Sequence, residues 1–301
     1  MTYAVPHQSP SRVLWFASVC LLMTAGCRTI SPSGTDTSLP GTPQTFSHVE
    51  FDRVLQHFVD GDGRVDYIAL KDSSQALDRY FGLIARYSPD SHPELFSTDE
   101  SRLTYWLNAY NAAAMKAVVR RYPITSVQDV GPPKLLFFLP DLSGFFVFQR
   151  MKFGGESMSL RHLENELIRE RFSDPRVHFA LNCASSSCPR LPNRAFSAEH
   201  LDDELEREAR KFVAEERNVR IDDEQRVVFL SQIFEWYEGD FVSWYEENFP
   251  GRRADLIAYI ALYLPEGPAG RLLGDVAHYE VRFTTYDWSL NDQNGGPGGR
   301  P

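Results

Sequence analysis

The sequence predicts an α+β fold: a single domain in which a small central β-sheet is packed by several helices. Three observations carry this. Apolar residues recur at helical spacing over 47–60, 73–87 and 101–122, residues 176–182 alternate strictly, and short strand-like runs follow late in the chain. A composition of 43% hydrophobic and 13% aromatic residues supplies ample material for a core.

The N-terminus is read first. Residues 1–12 hold one basic residue, Arg12, and no acidic one, and the apolar run Val13–Met23 closes with Thr24-Ala25-Gly26-Cys27. A basic start, a short apolar run and a small-residue end describe a secretory signal. The run falls short of the ~20 apolar residues that span a bilayer. Ala25-Gly26-Cys27 resembles a lipobox, so residues 1–26 are expected to be a lipoprotein signal peptide and Cys27 the lipidated residue. Thr24 departs from the usual Leu. Several acyl chains on one cysteine anchor stably, which makes the membrane a partner through lipid. Arg28 and Thr29, where an Asp would direct inner-membrane retention, resemble outer-membrane sorting, with the domain facing the periplasm.

Residues 27–46 hold this cysteine and a Ser-, Thr-, Pro- and Gly-rich stretch that reads as a flexible tether. Residues 47–291 form the expected domain, and 292–301, rich in Gly and Pro, the expected disordered tail. The first two helices of the domain, 47–60 and 73–87, are separated by Asp60-Gly61-Asp62-Gly63. That start resembles a calcium loop, but Lys71 stands where the bidentate Glu belongs, and the segment reads as a turn.

The helix over 101–122 is stopped by Pro123. Its stripe runs Leu103, Leu107, Tyr110, Ala114 and Val118, with Asn111 inside it. A buried amide there must find partners, and bracing a neighbouring loop is the expected use. In the helix over 160–171, Glu164 lies among Leu160, Leu163, Leu167 and Ile168, where a carboxylate is either paired or carries a raised pKa. From 176 to 182 the alternation puts Val177, Phe179 and Leu181 on one face and His178, Ala180 and Asn182 on the other, the pattern of a strand. Cys183 follows its end. Helices near 198–215 and 231–247 and strands near 219–221, 226–230 and 278–286 complete the reading.

Charge excludes one class. The chain carries a formal net charge of −10, and −11 once Arg12 has left with the signal. No nucleic acid is expected as a partner, because that requires clustered Lys and Arg. With Cys20 removed and Cys27 lipidated, Cys183 and Cys188 are the cysteines left. In an oxidising compartment the pair reads as a disulfide, a metal site with His178 and Glu164, or a nucleophile with its neighbour. No cofactor is expected.

Four blocks resemble the family known as domain of unknown function 547: YWLNAYNA at 105–112, SLRHLENELIR at 159–169, HFALNCASSSCP at 178–189 and LSQIFEWYEGDF at 230–241. FVDGDGRVDY at 58–67 and TTYDWSLN at 284–291 also resemble its bacterial members, so the likeness spans nearly all of 47–291. The resemblance implies a Glu–His–Cys set of the cysteine-hydrolase kind, at Glu164, His178 and Cys183, on a papain- or transglutaminase-like core. The segment 132–150 departs from the family pattern, with the unusually apolar Leu135–Phe138 and Phe145-Phe146.

The chemistry of such a set is a thiol-dependent hydrolase or acyltransferase acting on an amide or peptide-like bond. Cys183 would be the nucleophile, His178 the base and Glu164 the orienter, with Asn182 an oxyanion or positioning group. Cys183–Ser187 is expected to open a short helix whose amides lower the thiol pKa and form an oxyanion hole. One constraint stands: His178 and Cys183 are separated by about 16 Å along an extended strand at about 3.3 Å per residue. They meet only if the chain folds back after Leu181. The rival class is a noncatalytic binding or scaffold lipoprotein in which Cys183 and Cys188 form a structural disulfide.

Overall fold

The structure, a computed structural model, describes residues 28–30, 45–133, 140, 142–274 and 279–295. The expected signal peptide, Cys27 and the apolar Leu135–Phe138 lie outside the described residues.

A short strand β1 (Arg28–Ile30) is followed by helices α1 (Val49–Phe58), α2 (Tyr67–Asp72) and α3 (Gln75–Arg86). Each helix buries the face that its periodicity marks: Phe51, Val54, Leu55 and Phe58 in α1, and Leu77, Tyr80, Phe81 and Ile84 in α3. Between α1 and α2, Asp60 Oδ1 accepts the amides of Asp62 at 2.9 Å and Arg64 at 2.8 Å, which closes the turn over Gly61-Asp62. Gly63 sits at φ +78°, and a β-carbon there would come within 2.7 Å of Leu191 N, so the conformation and the close approach both call for glycine.

The 21-residue α4 (Asp99–Val119) starts at a capping box between Thr98 and Ser101. Every residue from Leu103 to Val119 is buried, so the expected stripe is a helix enclosed on all sides. Its alanines at 109, 112, 113, 114 and 117 let neighbouring elements approach closely. Lys116 is tolerated inside because it pairs with Asp78 of α3.

Next come α5 (Leu142–Phe146) and the hairpin of β2 (Gln149–Phe153) and β3 (Glu156–Ser159), turning on Gly154 and Gly155 at φ +56° and +93°. β1 adds to β2 in parallel. Helix α6 (Leu160–His162) runs directly into a π-helical turn, Leu163–Arg169. The chain continues through α7 (Leu201–Ala214), the antiparallel pair β4 (Val219–Asp222) and β5 (Val227–Leu230), α8 (Gln232–Trp236), α9 (Glu238–Asn248), α10 (Leu256–Ala261) and α11 (Glu266–Gly274). Strand β6 (Glu280–Phe283) then pairs in parallel with β5.

The fold is thus mixed helix and strand, with small sheets packed by helices. One central sheet was the expectation; among the described residues there are two three-stranded sheets, β1-β2-β3 and β4-β5-β6. Two apolar clusters match them. One gathers around α1, α3, α4 and the π turn; the other holds Phe179, α7, β5 and α8 to α10, and Trp288 packs against both.

The expected strand at 176–182 is corrected. Pro175–Phe179 is a 3-10 helix capped by Asp174, and the next residues form an irregular loop. Alternation misled because Val177 through Asn182 are all buried, whichever side they occupy. The described chain also packs beyond residue 291, where a tail was expected to begin. Asp292 is buried and accepts the Tyr122 hydroxyl at 2.7 Å, and Gln293 donates to the Phe58 and Arg64 carbonyls.

Candidate functional site

The loop after the 3-10 helix is held by α4. Asn111 donates to the Ala180 carbonyl at 2.9 Å and accepts the Asn182 amide at 2.8 Å. This bracing turns the chain after Leu181. Asn182 then ties the cysteine loop together: its Nδ2 donates to Pro189 O at 2.7 Å, and its Oδ1 accepts Ala184 N at 2.9 Å and Asn291 Nδ2 at 3.2 Å. Oδ1 and one Nδ2 hydrogen of Asn182 are therefore committed to positioning the loop.

Cys183 and Cys188 are joined as a disulfide, with Cα atoms 5.9 Å apart. No helix begins at Cys183, which corrects the expected helix start. Ala184 sits at φ +65°, and five amides of the loop bond within the fold. Cys183 N donates to Cys188 Sγ, Ala184 N to Asn182, Ser186 N to Ser289 O, Ser187 N to Asp287 O, and Cys188 N to Ser185 O. These five amides are already engaged and do not point together at a common oxyanion position.

His178 is buried, and its Nε2 lies 2.8 Å from Asp240 Oδ2. Asp240, on α9, also receives Arg169 from the π turn through Nε at 2.8 Å and Nη2 at 3.0 Å. Burial works to raise the Asp240 pKa, but the bonds from His178 and Arg169 outweigh it and hold the carboxyl well below the usual carboxylate range. An ionised Asp240 can only accept, so the His178 proton sits on Nε2 and the basic lone pair on Nδ1. Burial drives the imidazole pKa down, and the Asp240 bond only partly offsets it. The ring is neutral near pH 7.

Glu164 does not orient His178 directly, as the sequence reading had it. Its carboxylate accepts the Tyr237 hydroxyl on one oxygen and the Tyr110 hydroxyl at 3.4 Å on the other. Tyr237 in turn stacks on His178, with ring centres 3.9 Å apart and planes 23° apart. The Arg169 guanidinium lies over the same tyrosine ring at 4.8 Å. So Glu164 reaches the imidazole through Tyr237. Burial, reinforced by the carboxylate, raises the Tyr237 pKa well above the ordinary value and keeps its hydroxyl a donor.

These groups share one cleft of about 610 Å³, walled by Tyr110, Glu164, His178, Cys183, Cys188, Tyr237 and Tyr286, with Trp236 and Trp288 at its aromatic side. The Tyr286 hydroxyl lies 3.2 Å from Cys183 Sγ and accepts from Ser185 at 3.1 Å. Among the described residues no hydrogen bond joins His178 to either sulfur. The four groups weighed as a metal site do not converge: the sulfurs bond each other, and His178 and Glu164 face separate partners.

Sequence reasoning missed Asp240, Tyr237 and Tyr286. Asp240 and Tyr237 stand in the block LSQIFEWYEGDF and Tyr286 in TTYDWSLN, but neither segment shows periodicity that marks them as partners of His178 or Cys183.

One comparison bears on the cleft. Residues 94–213 match the family model described as protein of unknown function, DUF547. The comparisons with curated proteins and with solved structures give no match. The matched segment carries Tyr110, Glu164, Arg169, His178 and both cysteines, whereas Asp240, Tyr237 and Tyr286 come from chain beyond it. The cleft is therefore assembled across the boundary of the DUF547 match.

Proposed function

We propose that this chain is an exported lipoprotein enzyme, a thiol-dependent hydrolase or acyltransferase acting on an amide or peptide-like bond in the cell envelope, on a papain- or transglutaminase-like core. The observation that carries the reading is that Cys183 and His178, read from sequence as nucleophile and base, line the same cleft. In the reduced chain, His178 Nδ1 takes the Cys183 proton, and the thiolate attacks the carbonyl carbon. The imidazolium returns its proton to the leaving amine. Water or a second nucleophile then releases the acyl group from sulfur. Asp240 positions His178 and stabilises its charged form, the role first given to Glu164. The Tyr286 hydroxyl, 3.2 Å from the Cys183 sulfur, is the donor best placed for the developing oxyanion.

The test uses the reduced, folded protein and a thiol-directed probe. Cys183→Ala abolishes labelling, Cys188→Ala keeps it, and His178→Ala slows it near neutral pH. A second reading, a noncatalytic binding or scaffold lipoprotein, is favoured by one observation: the disulfide is closed and five of its loop amides are internally bonded. If both sulfurs stay unreactive until unfolding and both alanine variants lose equal stability, the scaffold replaces the enzyme. The anchor belongs to the same proposal. Fatty-acid labelling is expected in the wild type and lost in Cys27→Ser, and its persistence would remove the lipoprotein assignment and with it the outer-membrane location.

A further inference from the structure

The two sulfurs of the disulfide stand in unlike surroundings. Cys183 is half-buried in the cleft wall, whereas Cys188 is only 3% exposed. Both can reach the hydroxyl pair of Ser185 and Tyr286: Cys183 Sγ at 3.1 and 3.2 Å, Cys188 Sγ at 3.4 and 3.3 Å. Only Cys188 Sγ also receives a backbone amide among the described residues, from Cys183 N at 2.8 Å. That amide is a fixed donor which survives cleavage of the S–S bond, because it belongs to the backbone.

We propose that the Cys183–Cys188 bond is a thiol–disulfide exchange site for a small dithiol, attacked at Cys183 with Cys188 as the leaving sulfur. The dithiol's thiolate forms a bond to Cys183 Sγ as the Cys183–Cys188 bond breaks. The electron pair departs on Cys188 Sγ, which meets the Cys183 amide and a hydroxyl and then takes a proton. A leaving thiolate stabilised in this way departs faster. The second thiolate of the dithiol then attacks its own sulfur in the mixed disulfide. This displaces Cys183 as a thiolate and completes a two-electron transfer to the protein.

The loop returns to its starting form because it is held from outside the bond. Asn182 clamps Pro189 and Ala184, and Ser186 and Ser187 bond the backbone of Ser289 and Asp287. These contacts do not depend on the S–S bond, so the reduced sulfurs remain neighbours, and a disulfide-form exchange partner can take back the two electrons as the Cys183–Cys188 bond re-forms. The exchange stands on the sulfur geometry alone; that it switches on the Cys183 nucleophile rests on the hydrolase reading.

The experiment treats the folded, oxidised chain with glutathione or dithiothreitol, quenches by alkylation, and locates the adduct by peptide mass while circular dichroism follows the fold. The expected result is reduction without unfolding, with the transient glutathione adduct on Cys183. In single variants, 5,5′-dithiobis(2-nitrobenzoate) is expected to react about ten times faster with Cys183 in Cys188→Ala than with Cys188 in Cys183→Ala. The wild-type trapping decides the matter if either variant folds poorly. Reduction only at denaturant concentrations that unfold the chain, or an adduct on Cys188, overturns the proposal. Exchange at Cys183 without turnover of any amide substrate removes the hydrolase and leaves the exchange standing.

Discussion

His178 Nε2 donates to Asp240 Oδ2 at 2.8 Å, and the same oxygen accepts Arg169 Nε at 2.8 Å. One carboxylate from α9 thereby fixes both the imidazole and the π turn that carries Glu164. Its charge pulls the His178 pKa upward against the burial that lowers it. Asp240→Asn is therefore expected to move the His178 pKa further down, read from the imidazole resonances by NMR titration. An unchanged or raised pKa would contradict that upward pull of the carboxylate.

Asn111→Ala removes the brace between α4 and the cysteine loop, leaving the Ala180 carbonyl and the Asn182 amide without partners inside the fold. At roughly 1–3 kcal/mol for each unsatisfied buried group, relaxation included, the variant is expected to lose about 2–4 kcal/mol in denaturant unfolding. A loss below about 0.5 kcal/mol, the range of ordinary surface changes, would mean that the loop holds itself.

Glu164→Gln keeps an acceptor for Tyr237 but loses the charge that strengthens the bond. The expected loss of stability is about 1 kcal/mol, while turnover by the proposed enzyme falls more steeply than stability does. Glu164→Leu, which leaves two hydroxyls unpaired, is expected to fold and to be inactive. A Leu variant that fails to fold, with normal activity in its residual folded fraction, would make the carboxylate structural.

One source of acid sensitivity lies far from the cleft. His48 shares a 2.8 Å hydrogen bond with the Tyr80 hydroxyl, and burial lowers its pKa from 6.5 to about 3. The unfolded chain takes up that proton first. The stabilisation is therefore complete above pH 6.5 and is lost as the pH falls towards 3. His48→Gln, which retains an acceptor for Tyr80, is expected to flatten the fall of unfolding free energy across that window. An unchanged slope would assign the acid sensitivity to other groups.

Much of this molecule could be read from residue order. The faces of α1 and α3 followed from 3.6-residue spacing, because each helix lies on the core with one side. Asn111 and Glu164 were visible as polar residues on apolar stripes, and both have specific buried partners. The strand at 176–182 was misread because a segment buried on every side shows no face, so alternation carries no information there. The β2–β3 hairpin was missed, although its Gly154-Gly155 pair is a turn signal of known strength. Asp240 and Tyr286 could not be found by spacing at all: Asp240 lies 62 residues from His178 and Tyr286 lies 103 from Cys183. Only packing brings them together.

The last described segment sets an order on how this protein can form. Leu290 N bonds Thr125 O, Asn291 N bonds Ala184 O, and Val65 N bonds Asn291 O. The Tyr67 hydroxyl meets the Asn291 side chain across 224 residues of chain. A growing polypeptide has no substitute for these partners, and closing so long a loop comes late because its entropy is lost before the contacts repay it. Until residues 284–292 arrive, the cysteine loop lacks its outer clamp. Residues 284–292 thus set when the cysteine loop can take its final shape.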